Sequence, residues 1–331
     1  LAEVPSGQRP SSAEARLTRP LIGVTMTRRT LDSPADRAEA MARGHAGPVT
    51  VLQWTADLPS LRSPILVTAF EGLFDVGGAA TGAIESLRGT GGIEVGIIDA
   101  DPFFDFSERR PEIRIADDGR RVIDWPDHRI HVLALPDQSR DLVLVDGVEP
   151  HLLWRTFSDA ITEVATAVDA AMVVTFGAMI AEVPHTRPPT ITGSTTDADL
   201  AAVMRLERPS YQGPTGVIGV LHERLERSGI PAVSLRASVP HYVSGSPNPK
   251  ASGALLERFE RITSLPTSWS DLEDEARAWE RRVDEAMVDD DDVTAYVRRL
   301  EEHYDRRAES SIPNADDLAA EFERFLRQQE D

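Results

Sequence analysis

From Val49 onward, short strand-like stretches, several of them continuous apolar runs, alternate with stretches whose apolar residues recur at helical spacing. That rhythm restricts the folds open to this chain more than any other feature. The strand candidates span residues 49–54, 65–69, 93–98, 130–135, 142–145, 172–176 and 232–239. Continuous apolar runs belong to strands that are covered on both faces. Between them, Leu153, Phe157, Ile161, Val164 and Val168 fall on one helical face. So do Val217, Val220, Leu221 and Leu225, with Gly229 as a stop, and Leu255, Leu256, Phe259 and Ile262. Strand and helix in alternation predict an α/β chain with a three-layer α/β/α core.

Three regions depart from that rhythm. Ile113-Arg114-Ile115 and Val122-Ile123 flank Asp117-Asp118-Gly119, the signature of a β-hairpin, here an insertion over about 111–125 that projects from the core. Residues 1–48 read as an extended arm with one short helix, capped by Ser33, with Pro34 in its first turn and Gly44 at its end. Residues 49–265 form the core. Residues 266–331 read as an all-helical subdomain with charged amphipathic helices over 270–288, 292–308 and 315–329. Ser270 and Asn314 are the expected N-caps. The run Asp289–Asp292 sits where a helix dipole favours acids, and it lacks the glycine and spacing of a calcium loop. Helices this polar must pack on the core or on a partner.

Charge and composition narrow the function. The formal net charge is −20, and residues 251–331 carry 23 acids against 11 arginines. Such a surface repels nucleic-acid phosphates and anionic membranes. There is no cysteine, which removes disulfides, thiolate nucleophiles and zinc-thiolate sites. The longest apolar stretch, 170–181, is shorter than a membrane helix requires. The chain reads as cytoplasmic, with no cofactor and no metal.

One lysine stands against 34 arginines. It is Lys250, in the first turn of a helix announced by Asn248-Pro249. A compact ammonium is chemically distinct from a guanidinium. There it opposes the helix dipole unless an anion comes near. Two short echoes, Val183-Pro184-His185 and Val239-Pro240-His241, each follow an expected strand. Ligands of open α/β sheets bind beyond strand carboxyl ends, and a preceding proline stiffens each histidine. The histidines either pin their loops or form a polar site with Arg187 and Lys250. Tyr211-Gln212-Gly213-Pro214-Thr215-Gly216 precedes the helix beginning at Val217, as a tight turn or as a loop for close ligand approach. Glu71 and Asp75 follow the strand over 65–69, with Asp75 read as a helix cap. Asp99, Asp101 and Asp105 read as turn residues.

Together these stretches resemble the proteasome assembly chaperone 2 family, in its actinobacterial-type branch. The resemblance spans about residues 62–262. It is carried by Ala69-Phe70-Glu71-Gly72 with Asp75, Asp141-Leu142-Val143-Leu144-Val145, Trp154 with Phe157, Pro184-His185-Thr186-Arg187-Pro188, Tyr211 to Gly216, Pro240-His241-Tyr242-Val243 and Asn248-Pro249-Lys250. It implies a phosphorylase/hydrolase-like α/β/α fold, a hairpin used in trimer formation and a C-terminal helical lid.

The resulting expectation is a homo-oligomeric, non-catalytic binding or assembly protein whose pocket takes a small anion or a peptide carboxylate. His185, Arg187, His241 and Lys250 hold that anion, Tyr211 supplies an edge, Glu71 a hydrogen bond, and Asn248 the helix start. The rival expectation is a hydrolase- or phosphorylase-like enzyme at the same strand ends, by analogy of fold.

Overall fold

The structure, a computed structural model, describes residues 51–311, with side chains described through residue 309. The expected arm over 1–48 and the expected helix over 315–329 with its Asn314 cap lie outside the described residues. Ten strands and seven α-helices follow one another among the described residues. They are β1 (Leu52–Trp54), β2 (Ile65–Glu71), α1 (Ala79–Gly89), β3 (Ile93–Ile98), β4 (Glu112–Ile115), β5 (Arg121–Asp124), β6 (His128–Leu133) and β7 (Leu142–Val148). Then come α2 (Trp154–Ala167), β8 (Met172–Ala181), β9 (Ile191–Ser194), α3 (Ala198–Met204), α4 (Val217–Arg227), β10 (Ala232–Pro240), α5 (Pro249–Thr263), α6 (Glu273–Met287) and α7 (Asp291–Ser311). Eight strands make one mixed sheet in the order β1-β3-β6-β7-β2-β8-β10-β9, and β4 and β5 pair separately. The α/β reading therefore stands, with a C-terminal helical segment. The chain forms two compact units, residues 51–68, 91–175 and 194–233, and residues 69–90, 176–193 and 234–311.

In the first unit β1, β3, β6 and β7 form an antiparallel ladder, with Leu52 opposite Ile98 and Ile130 opposite Val145. β2 pairs with β8 in parallel, from Ile65 opposite Met172 to Thr68 opposite Thr175. The apolar runs 65–70, 142–145 and 172–178 are buried throughout, as continuous patterning requires, whereas Trp54 of β1 and Ile93 of β3 are exposed. Asp141, 2% exposed, ties the start of β7 to the chain before β2. Its carboxylate accepts from the Arg62 guanidinium at 2.8 Å, the Arg62 backbone N–H at 2.7 Å and the Leu135 N–H at 2.9 Å. Burial alone raises its pKa, and these donors together hold it below the usual aspartate value. The hairpin forms as expected, with Ile113 opposite Ile123 and a turn at Gly119, whose φ of +79° is glycine's. Arg114 and Asp124 pair on one face at 2.7 Å. Ile113, Ile115 and Ile123 share the other, exposed face.

In the second unit α1 packs on α5, where Ser252 Oγ donates to the Ala79 carbonyl at 2.9 Å. Phe176 of β8 meets Phe259 of α5 edge to face at 5.6 Å. Asp75 caps α1: its carboxylate accepts from Ala80 N–H at 2.7 Å and from the Thr81 hydroxyl at 2.5 Å. Burial pushes Asp75 up in pKa, while those hydrogen bonds pull the other way. α5 packs on α6 and on the 3-10 turn Trp269–Leu272, and α6 packs on α7.

Several boundaries differ from expectation. β8 runs to Ala181 rather than residue 176, the short β9 carries one large apolar residue, and α3 is only seven residues long, too short to show a helical period. α3 is nucleated by Asp197, which accepts from the N–H groups of Asp199 and Leu200. Ser270 is not a cap, because it lies inside the 3-10 turn, and α6 opens instead with Glu273, Asp274 and Glu275. α7 starts at Asp291, with Asp290 accepting from Asp292 and Val293 N–H at 3.1 Å each.

His128 of β6 yields a pH prediction. It is fully buried, stacked on Phe104, and its Nε2 lies 2.6 Å from the Val148 carbonyl. Burial lowers its pKa to about 4, outweighing the opposing pull of Val148 and Asp146. The unfolded chain then binds a proton that the folded chain refuses. Stability is full above the unfolded value near 6.5 and falls as pH drops toward 4. Between about pH 7.5 and pH 5 this group removes roughly 2 kcal/mol. Urea unfolding at the two pH values measures it, and His128→Phe flattens the dependence by about that amount. An unchanged pH slope in the variant contradicts the assignment.

Candidate functional site

The two proline–histidine echoes sit where the sequence places them. Val183-Pro184-His185 follows β8, and Val239-Pro240 closes β10 with His241 opening a 3-10 turn, His241–Val243. β8 and β10 are neighbours in the sheet, so both loops leave adjacent strand ends. Asn248 caps α5, its Oδ1 accepting from Ala251 N–H at 3.0 Å, and Pro249 occupies the first turn. Lys250 follows directly. Every residue of this cluster belongs to the second unit.

The two histidines are not equivalent. His185 is 3% exposed and both its ring nitrogens are used. Nε2 lies 2.9 Å from Asp284 Oδ1, and Nδ1 lies 2.9 Å from the Tyr242 hydroxyl, which also accepts from the His185 backbone N–H. A carboxylate only accepts, so Nε2 carries the proton and the Tyr242 hydroxyl donates to Nδ1. Both ring nitrogens of His185 and the Tyr242 hydroxyl then have partners. Burial pushes the Tyr242 hydroxyl up to about 12, which keeps it protonated for that role. His241 is exposed, its ring edge-on to Tyr242 at 5.3 Å and to Tyr296 of α7 at 5.6 Å.

The cations hold carboxylates. Lys250 Nζ donates to Glu280 Oε2 and to the His185 carbonyl, each at 2.6 Å. Arg187 forms a two-pronged pair with Asp305, 2.9 Å for Nε and 2.9 Å for Nη2, and a third contact of 3.2 Å from Nη1 to Glu301. Thr186 donates to the same Glu301 at 2.5 Å. Hydrogen bonding with Arg187 holds Asp305 below its ordinary pKa and raises the guanidinium in return. The anion that the Lys250 position calls for is thus Glu280. Loop 183–188 and the first turn of α5 are clasped by four carboxylates of α6 and α7.

The structure thus brings His185, Arg187 and Lys250 together, with His241 beside Tyr242 and Asn248 two residues before Lys250 as a cap. Glu71 ends β2, close enough to Asp75 to raise that carboxyl after burial has done so. Tyr211 belongs to the first unit, where its exposed ring turns back on its own loop and its hydroxyl donates to the Pro214 carbonyl at 3.1 Å. The sequence reading missed Glu280, Asp284, Glu301 and Asp305. A signal was present: each helix carries two acids four residues apart, a like-charge repeat that costs an isolated helix stability. A surface of cations facing each pair removes that cost. Among the described residues no group of three or more histidine and acid side chains is placed to hold a metal ion. No helix among them is long and apolar enough to cross a membrane.

An α/β chain whose strand-end loops are pinned by two acidic C-terminal helices is a defined class, and comparison gives it a family. The sequence matches the PAC2 family over residues 69–287, and the chain belongs to that family. It is similar to the crystal structure of a PAC2 family protein from Streptomyces avermitilis, with 42% identity and a TM-score of 0.66 over 71% of this chain and 99% of that one. It is similar to a proteasome-assembly chaperone homologue of Mycobacterium tuberculosis, with 40% identity and a TM-score of 0.64 over 70% of this chain and 99% of that one. An uncharacterized protein of Methanocaldococcus jannaschii is 25% identical over 130 residues, and that match spans 38% of this chain and less than half, 45%, of the relative.

Proposed function

We propose that this chain is a cytoplasmic, non-catalytic, chaperone-like protein that docks protein partners, and that its basic cluster is a seat for a peptide carboxylate or another small anion. The observation that carries the reading is the chemistry of the occupied cluster. His185, Arg187 and Lys250 each hold a carboxylate in good geometry. Here the carboxylates are supplied from within the chain, by α6 and α7 acting as a lid. A partner's carboxylate would take the place of Glu280 or Asp284 once those helices give way. The similarity at 40% identity to a proteasome-assembly chaperone homologue supports the chaperone-like part of the reading.

Self-association, as a trimer, is part of the same proposal. A two-stranded hairpin alone is marginally stable, and this one exposes Ile113, Ile115 and Ile123 on one face. Burying that face against a second copy would stabilise both.

Two measurements test these readings. Fluorescence anisotropy with a labelled acidic peptide ending in a free carboxylate should give tighter binding to Glu280→Gln/Asp284→Asn than to the parent chain, by about tenfold. Adding Lys250→Met to that variant should abolish the gain. Equal or absent binding in all three proteins refutes the carboxylate seat. Sedimentation equilibrium should give a trimer for the parent chain and a monomer for Ile113→Asp/Ile123→Asp. A parent chain that sediments as a monomer refutes the hairpin contact.

A further inference from the structure

β10 is an interior strand, flanked by β8 and β9. From Ser234 onward it belongs to the second unit. Strand alternation puts Leu235, Ala237 and Val239 on one face and Ser234, Arg236 and Ser238 on the other. On β8, Phe176 meets α5, so Gly177 and Met179 face away from that helix. A side chain built on Gly177 meets Arg236 Cγ at 3.3 Å and the Phe74 carbonyl at 3.4 Å. The Arg236 stem therefore crosses Gly177 on the face turned away from α5, and the glycine leaves it room.

A guanidinium in that position needs an explanation. Arg236 Nε is buried and has no hydrogen-bond partner, which is unfavourable for a charged donor. Among the described residues no carboxylate pairs with Arg236, although the chain carries 55 acids against 35 cations. Arg224 Nε is enclosed in the same way, yet the Asp159 carboxylate lies against it, and half-buried Arg187 holds Asp305. Arg236 as a whole is half-buried, so its guanidinium is within reach from outside.

The missing partner has a definable chemistry. Nε–H and the Nη–H beside it lie parallel and match the two oxygens of a carboxylate. One guanidinium balances one negative charge, which favours a monocarboxylate over a phosphate of nearly two. β8 and β10 run in the same direction, since Val173 N–H donates to the Pro231 carbonyl and Gly177 lies beside Arg236. Met179 follows on the face of Gly177, about 7 Å further along, and is 41% exposed. It offers apolar surface to a body of a few carbons.

We infer that Arg236 is the seat of a small monocarboxylate, its oxygens on Nε and the adjoining Nη, its short apolar body along Gly177 toward Met179. The seat is separate from the carboxylate clasp, because Arg236 faces away from α5, which carries Lys250, and shares no contact with His185 or Arg187.

Calorimetric titration of the full chain with sodium hexanoate tests it. In the parent chain the clasp already holds its own carboxylates, so saturable binding of one hexanoate reports on Arg236. 1-Hexanol, which lacks the charge, should bind at least about tenfold more weakly. Arg236→Met should weaken hexanoate by about tenfold or more while leaving the melting temperature unchanged or higher, because it removes an unpartnered buried charge. Arg236→Lys keeps the charge but loses the parallel pair of donors, and it too should weaken binding. Gly177→Ala, which crowds the arginine stem, should do so with the guanidinium intact. The dipeptide N-acetyl-Val-Leu, free at its carboxyl end, is a second probe. Tighter binding of hexanoate assigns the seat to a free small acid, and tighter binding of the dipeptide assigns it to a chain terminus. No saturable binding of either probe, tighter binding of inorganic phosphate than of both, or a lower melting temperature in Arg236→Met with hexanoate binding unchanged overturns the proposal.

Discussion

The ion-paired clasp between loop 183–188, Lys250 and the carboxylates of α6 and α7 is the contact on which the arrangement of the second unit depends. Among the described residues, α6 and α7 bury four apolar side chains, Trp279, Val283, Val297 and Leu300. Apolar burial favours contact but is non-directional. Two helices held by so few such groups can slide or rotate at modest cost. Charged hydrogen bonds supply the missing direction: Glu280 and Asp284 fix one face of α6, and Glu301 and Asp305 fix one face of α7. The Arg187 fork meets both Asp305 oxygens at 2.9 Å, a two-pronged pairing that fixes orientation as well as distance.

The same contact explains the solitary lysine. Lys250 Nζ reaches a backbone carbonyl and a carboxylate together, both at 2.6 Å, from the first turn of a helix. A rotatable point-like ammonium meets two acceptors in different directions, where a planar guanidinium would need them in one plane. Its side chain is 17% exposed, so the pair is screened less than a surface ion pair. Lys250 also closes a loop of contacts, since the carbonyl it holds belongs to His185, whose ring holds Asp284.

Much of this was legible in the sequence, and the limits have physical causes. Strand-like stretches marked seven strands, several of them as continuous apolar runs because burial on both faces leaves that pattern, while β9, with one large apolar residue, left none. The proline–histidine echoes leave adjacent strand ends near Lys250, and His185, Arg187 and Lys250 there hold carboxylates of the same chain. What filled the cluster was not legible, because acids on a charged helix look alike whether they face water or a cation. The four-residue spacing of Glu280 with Asp284 and of Glu301 with Asp305 was visible, but Asp305 and Glu309 repeat it, so spacing alone does not single out the acids that face cations. Tyr211 was grouped with the cluster by its glycine-rich neighbourhood, whereas its hydroxyl serves its own turn through Pro214.

The central claim is that cations of the strand-end loops and acids of the C-terminal helices are energetically coupled. A double-mutant cycle on unfolding free energy with Lys250→Met and Glu280→Gln measures that coupling most directly. The account predicts a coupling energy of about 1 kcal/mol, shrinking as salt is raised. A value indistinguishable from zero at low salt would contradict it.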